Sequence, residues 1–343
     1  YYRVRRVGEY GKLSGRRVDD LRSGARVDMG EAKEDPLDFT LWKGAKEGEP
    51  AWDSPWGPGR PGWHIECSAM SMKYLGETLD MHGGGMDLVF PHHENEIAQS
   101  EAATGREYVR YWMHNGLLNL SGEKMSKSTG HFFLIEDILK EFSGEVVRFY
   151  FLSTHFRSNS EFGRERLREA AAGYERIREF CLGLDEAREA ASAASAAVDG
   201  AAVPGAPDGS RLLALADEVR RGFLDAMDDD FNSAEAVGHL FRLIREVNAL
   251  TGGDIASLAT VPGAARRLLE DLAVYDSILG LFRGGLPRVS AGIPGEILSL
   301  VRERDEARAA REWARADELR ARVLEAGYAI EDRPGGARVR PAR

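Results

Sequence analysis

Apolar positions read short in the first part of this chain and helical in the rest. Residues 1–50 alternate weakly among glycines and mixed charge, which predicts short strands and loops without a long helix. Only Asp38-Phe39-Thr40-Leu41-Trp42-Lys43 has a strand-like core, and the segment otherwise reads as a solvated insertion. Residues 51–62 are dense in Pro, Gly and Trp, so an ordered loop is expected, with Trp52 and Trp56 packed. Ile65, Ala69 and Met72 stand at helical spacing and predict a helix from Trp63 through Met72. Thr78 to His82 reads as a strand ending in Gly83-Gly84-Gly85, His92 to Ala103 as a second helix, and Tyr108 to Leu120 as a strand region.

A polar loop holding Lys124-Met125-Ser126-Lys127-Ser128 comes next. Residues 134–153 read as two helices broken at Ser143-Gly144. From about Arg164 the composition becomes that of a helical bundle, rich in Ala, Arg, Glu and Leu. Helices are expected to about Ala191 and, after an Ala/Gly/Pro/Ser loop, at 211–227, 233–250 and 263–283, with Asn232 or Ser233 as an N-cap. A Gly/Pro-rich linker at 284–295 precedes a helical stretch at 296–326. Tyr328 to Asp332 and Ala337 to Arg340 then read as a hairpin across Arg333-Pro334-Gly335-Gly336, in a tail made basic by Arg333, Arg338, Arg340 and Arg343.

At 343 residues the chain exceeds one compact core, so two or three domains are expected. A net charge of −10 argues against a general nucleic-acid binder while leaving local basic patches open. The two cysteines, Cys67 and Cys181, stand far apart, so no disulfide framework is expected and a reducing cytoplasm is the natural setting. No apolar run is long enough for a membrane span, and no secretory signal is seen. Cys181, within an Ala/Arg/Glu helix, reads as a core residue.

The candidate chemistry concentrates in residues 61–100. His92 and Glu96, four apart, would share one helix face, and Cys67 would join them from the earlier helix. Sulfur, nitrogen and oxygen donors numbering three suit an open, catalytic type of zinc site better than a closed structural one. His93 and Glu94 lie off that face, where either could orient a ligand. The alternatives are a small buried cysteine and a solvated helix face. His82-Gly83-Gly84-Gly85-Met86-Asp87 places glycines after a strand, where positive φ or close ligand approach is possible, and Asp87 could accept from ribose hydroxyls. The alternative is a plain tight turn. The lysines of Lys124–Ser128 could neutralise a polyphosphate, the alternative being a charged surface loop. Asp228-Asp229-Asp230 reads as an acid cluster at a helix start rather than a metal site.

Lys124–Ser128 matches the KMSKS signature of class I aminoacyl-tRNA synthetases. GWHIECSAM at 62–70, HGGGMDLVFPHHENEIAQSEA at 82–102, YWMHNG at 111–116, DAMDDDFNSAEA at 225–236 and DEARAAREWARADELRARVLEAGYAIED at 305–332 resemble cysteinyl-tRNA synthetase. The resemblance implies α/β structure followed by α. Residues 1–130 would be the second half of a Rossmann-like nucleotide-binding domain, with an insertion near 1–50. Residues 131–163 would be a stem-contact region, 164–284 a tRNA-binding helical bundle, and 296–343 a small α/β anticodon-binding unit. It further implies one zinc that binds the substrate thiolate, held by Cys67, His92, Glu96 and a cysteine from an earlier part of the family's fold. Lys127 would contact ATP, supplied with Mg2+, and Lys124 is the signature's first lysine. Gly84, Asp87 and His114 would lie at ATP, while Trp63 and His82 would line the cysteine pocket. The partners implied are tRNA(Cys), L-cysteine and ATP, without a membrane, and a monomer is expected.

No HIGH-like string occurs in residues 1–343, and the chain does not start with methionine. The expectation is therefore a truncated synthetase that binds zinc incompletely and catalyses little alone. Two rivals stand beside it. One is a cysteine:amino-sugar ligase of mycothiol biosynthesis, which should lack the C-terminal tRNA-binding unit. The other is a non-catalytic zinc- or RNA-binding protein.

Overall fold

The computed structural model describes residues 1–6, 8–20, 33–120, 134–195, 206–261, 263–289, 293–333 and 336–341. They form two compact units. The first comprises Tyr1–Asn119 with Phe156–Ser160, and the second Leu120–His155 with Glu161–Arg343.

In the first unit, strands β1 (Trp42–Gly44) and β2 (Gly59–Pro61) pair antiparallel ahead of helix α1 (Trp63–Leu75). Helix α1 carries Glu66 in its first turn and Lys73 in its last, each favourable toward the helix dipole. Strand β3 (Leu79–Gly85) leads through turns to helix α2 (Glu94–Thr104), which places Glu94 and Glu96 at its dipole-positive end and stops at Gly105 in the left-handed region. Strand β4 (Val109–Asn115) returns parallel to β3, Leu79 opposite Val109 and Gly85 opposite Asn115, and β5 (Leu118–Leu120) follows. Leu79, Ile97, Tyr108 and Val109 form one small core; Val4, Tyr10, Phe39 and Ala98 form another. Phe156–Ser160 joins this unit through main-chain bonds, Gly116 N–H to the Phe156 carbonyl and Ser160 N–H to that of Leu117.

Helices α3 (Ile135–Glu141) and α4 (Gly144–Leu152) open the second unit, followed by β6 (Ser160–Phe162) and the long helix α5 (Arg164–Ser195). Then come α6 (Gly209–Asp228), α7 (Ser233–Leu250) and α8 (Ala264–Leu279). Leu212, Leu215, Ala216, Val219 and Phe223 make one buried stripe on α6 at the helical period, meeting Ala236, Leu240, Leu243 and Val247 of α7 in a single core that includes Cys181. Ser143, Asp208 and Asn232 cap α4, α6 and α7 with side-chain oxygens, so the expected Asn232 cap is present. Helices α9 (Gly295–Ala309) and α10 (Trp313–Glu325) pack with the antiparallel hairpin of β7 (Tyr328–Arg333) and β8 (Gly336–Pro341) around Ile297, Val301, Val323 and Val339.

Several expectations need correction. Among the described residues of the N-terminal segment, Val4, Tyr10 and Phe39 are core residues, so those parts are not solvated. Trp56 is 80% exposed and Trp52 57%, so neither is packed within this chain. Residues 296–326 are two helices; Arg311 turns left-handed at φ 62 between them, without a Gly or Pro to mark the break. The triple glycine lies inside β3 and none of its residues has positive φ. The glycines serve close approach instead. A Cβ on Gly83 would stand 2.8 Å from the Met113 carbonyl oxygen, and one on Gly84 would stand 3.0 Å from His93 Cε1.

Candidate metal and nucleotide site

His92 is not on α2. It lies with His93 in a wide turn, Val89–His93, that breaks at extended Phe90, and the α-helix begins only at Glu94. Pro91 has no amide hydrogen and cannot extend a regular helix backwards at that point. The turn nevertheless delivers both imidazoles over the first turn of α2.

Three elements converge there. Helix α1 brings Cys67, the turn His92 and α2 Glu96; one ligand atom from each lies within 4.8 Å of the others. A second such group shares the same carboxylate and comprises His82, His93 and Glu96. Glu96 is fully buried, and its Oε2 lies 3.2 Å from His82 Nε2, 3.7 Å from His92 Nε2 and 3.8 Å from His93 Nε2. Its Oε1 is buried without a hydrogen-bond partner among the described residues. A buried carboxylate oxygen left unsatisfied is costly, by about 1–3 kcal/mol. A cation between Glu96, His92 and Cys67 would remove that cost. The S, N, O donor set is the one zinc accepts.

The imidazoles are held neutral, as ligation requires, while the thiol is not yet poised for it. Burial, then the neighbouring His92, lowers His64 to about 4. Burial, then His82, lowers His93 to about 3. Burial lowers His92 too, opposed by Glu96, and lowers His114. Neutral imidazoles keep lone pairs to donate. Burial, followed by Glu96, raises the Cys67 thiol, and a bound cation would reverse that sign.

Other expected residues surround this centre. Trp63 stacks on His92 with ring centroids 4.6 Å apart and keeps an exposed face. His93 Nδ1 and His114 Nε2 lie 2.7 Å apart, and His64 Nδ1 and His92 Nδ1 2.8 Å. Gly84 backs onto His93. Asp87 is exposed in a tight turn, Met86–Leu88, just beyond β3, outside both metal-type groups. Asp87 and His114 thus stand at the carboxyl ends of two parallel strands, where open α/β sheets bind nucleotides. Lys124 and Lys127 lie outside the described residues.

Further residues of the strings 62–70 and 82–102 take contacts that the sequence did not assign them. Glu94 faces away from the metal-type groups. Its Oε1 accepts from Gly11 N–H at 2.9 Å and Leu13 N–H at 3.5 Å, and its Oε2 from Ser14 N–H at 2.8 Å. Tyr10 OH donates to Asn95 Oδ1 at 2.5 Å. Gln99, Ser68 and Ser100 bond one another between α1 and α2. One signal was available: Glu94–Ser100 is buried at every position, and HHENEIAQS contains neither lysine nor arginine, unlike a solvated helix face.

Residues 1–172, which hold the parallel β3–α2–β4 element and its candidate ligands, match the family described as tRNA synthetases class I (C) catalytic domain, so the chain is of the class I aminoacyl-tRNA synthetase type. Residues 222–283 match a DALR domain, and 290–340 the cysteinyl-tRNA ligase anticodon binding domain. The cysteine–tRNA ligase of Caldicellulosiruptor saccharolyticus is 46% identical over 339 residues, covering 99% of this chain and 69% of that protein. That of Geobacter sulfurreducens is 49% identical over 343 residues, covering 98% and 69%. A Mycobacterium tuberculosis methionyl-tRNA synthetase structure bound by methionyl-adenylate aligns with 59% of this chain and 42% of its own, at 19% identity and a TM-score of 0.44. The chain belongs to the cysteine–tRNA ligase family.

Proposed function

We propose that this chain takes part in ATP-dependent activation of L-cysteine and its transfer to tRNA(Cys), with a zinc ion at Cys67, His92 and Glu96 selecting the substrate thiol. The observation that carries the reading is the meeting of those three side chains around a buried Glu96 oxygen that has no hydrogen-bond partner among the described residues. When bound, zinc supplies a Lewis acid that favours sulfur over oxygen and lowers the pKa of a thiol. A site that engages the distinguishing atom can reject serine at binding, without editing.

The chain's own residues do the rest. Trp63, stacked on His92 and exposed on its other face, offers the substrate an aromatic wall. His82 Nε2 lies 3.2 Å from Oε2 of Glu96, the oxygen nearest His92 as well. The cysteine carboxylate oxygen bonds to the α-phosphorus of ATP as the bond to pyrophosphate breaks. The tRNA ribose hydroxyl then attacks the cysteinyl carbonyl and AMP leaves. Neither step needs a nucleophilic side chain; both need positioning and charge neutralisation. Lys127 and Lys124 are assigned to the leaving pyrophosphate, and Gly84, Asp87 and His114 to the nucleotide end of the site. A cytoplasmic setting suits these substrates.

The match of 290–340 to an anticodon-binding domain favours tRNA over an amino sugar as acceptor. Cysteine attachment to tRNA(Cys) set against ligation to an amino sugar tests that choice; ligation to the sugar alone would replace this reading. In the full-length enzyme, Cys67→Ser is expected to lose both zinc and cysteine-dependent pyrophosphate exchange. Stoichiometric zinc with unchanged exchange in that variant would show the ligand assignment to be wrong.

A further inference from the structure

The interface between α1 and α2, the helices that supply Cys67 and Glu96, is largely polar. Ser68 is fully buried, and Gln99 and Ser100 nearly so. Gln99 Nε2 donates to the His64 carbonyl oxygen at 2.6 Å and to Ser68 Oγ at 2.5 Å. Ser100 Oγ donates to the same Ser68 hydroxyl at 2.9 Å. Farther along α1, Ser71 Oγ pairs with Tyr108 OH at 2.8 Å.

The placement of these contacts is informative. His64 lies three residues before Cys67 and Ser68 one after it, so the Gln99 amide grips α1 on both sides of the candidate sulfur ligand. Gln99 itself follows Glu96 by three residues, on nearly the same face of α2. One contact would leave α1 free to turn about it. Two fix both its rotation and its height against α2. Hydrogen bonds are directional and hold such a setting more tightly than apolar contact, which has no preferred angle.

We propose that Gln99 is a positioning residue for the metal centre: through His64 and Ser68 it sets Cys67 against His92 and Glu96, and so sets metal affinity. This rests on the reading of those three residues as ligands. A glutamine that merely fills space could be replaced by methionine, which has similar length and is apolar. A positioning glutamine could not.

The test, made in the full-length enzyme that carries the fourth ligand, is zinc binding measured by chelator competition, together with the sulfur-to-metal absorption band after cobalt substitution. Gln99→Met is expected to weaken zinc by about 10- to 100-fold, the usual effect of losing a residue that orients metal ligands. Its cobalt band should shift, while the unfolding temperature of the metal-free protein stays close to wild type. Unchanged affinity and an unshifted band in folded Gln99→Met overturn the proposal. If that variant does not fold, Ser68→Ala removes one of the two grips with little loss of volume; a smaller weakening supports the proposal and unchanged binding overturns it. Wild-type protein that takes up no zinc, or Cys67→Ser that retains the sulfur band, instead overturns the ligand assignment.

Discussion

Gly84 shows how tightly the site is built. His93 is nearly fully buried, its ring centroid about 5 Å from those of His82, Trp112 and His114. A Cβ on Gly84 would meet His93 Cε1 and Leu88 Cδ1 at 3.0 Å each. With three rings around His93, Gly84→Ala is expected to destabilise by about 1–3 kcal/mol, the usual cost of overpacking. Thermal unfolding of the variant measures this, and a midpoint equal to wild type would show that His93 yields. The glycine triplet was legible as a demand for small residues. Its reason was not, because the neighbour that requires Gly84 comes from another element. That Cys67, His92 and Glu96 converge was legible even though His92 precedes the helix on which it was expected, since a turn can present two side chains to one point as well as an α-helix can.

At the scale of elements, legibility followed the kind of interaction that fixes each one. Helices α6 and α7 bury continuous apolar stripes and carry N-caps, and their expected bounds agree with those found to within a few residues. The break between α9 and α10 was not legible, because Arg311 adopts a left-handed conformation ordinarily taken by glycine. The hairpin beside it was expected, but its attachment was not. Arg304, almost wholly buried on α9, reaches Asp332 of β7 at 2.5 Å, and Arg308 reaches the same carboxylate at 2.7 Å. The Arg304 hydrogen bond, followed by that of Arg308, holds Asp332 down at about 2. A carboxylate with a depressed folded-state value stabilises above its unfolded value near 3.9 and loses that contribution as pH falls toward 2. The stability of the second unit should therefore drop between about pH 4 and pH 2, and Asp332→Asn should flatten that drop. Denaturant midpoints taken across this range test the link, and identical slopes for the two proteins would refute it. Because Asp332 is itself substantially exposed, the effect is expected to be small.

For the whole molecule, the two units differ in what makes them readable. The bundle is held by contacts that repeat along each helix, and such periodicity can be read locally. The first unit is held by small cores and by polar bonds spanning long sequence separations. Tyr2 OH reaches the carbonyl oxygen of Ala98, and Glu94 reaches back to residues 11–14. No local pattern announces such pairs, so a segment that looked solvated proved to brace the helix that carries Glu96. This bracing has a kinetic signature. Gly11 and Ser14 lie in a stretch without helix or strand, where amide protons ordinarily exchange with water quickly. Glu94 binds both N–H groups with one carboxylate, so they should exchange with deuterium at slow rates resembling those of the α2 amides, while Gly8 N–H exchanges freely. In Glu94→Ala both should become fast together. Because the carboxylate grips backbone and not side chains, Ser14 could be exchanged in evolution for any residue but proline, while Gly11, at φ 100 with an added Cβ only 1.8 Å from the Arg16 carbonyl oxygen, could not change without moving the loop's path across α2.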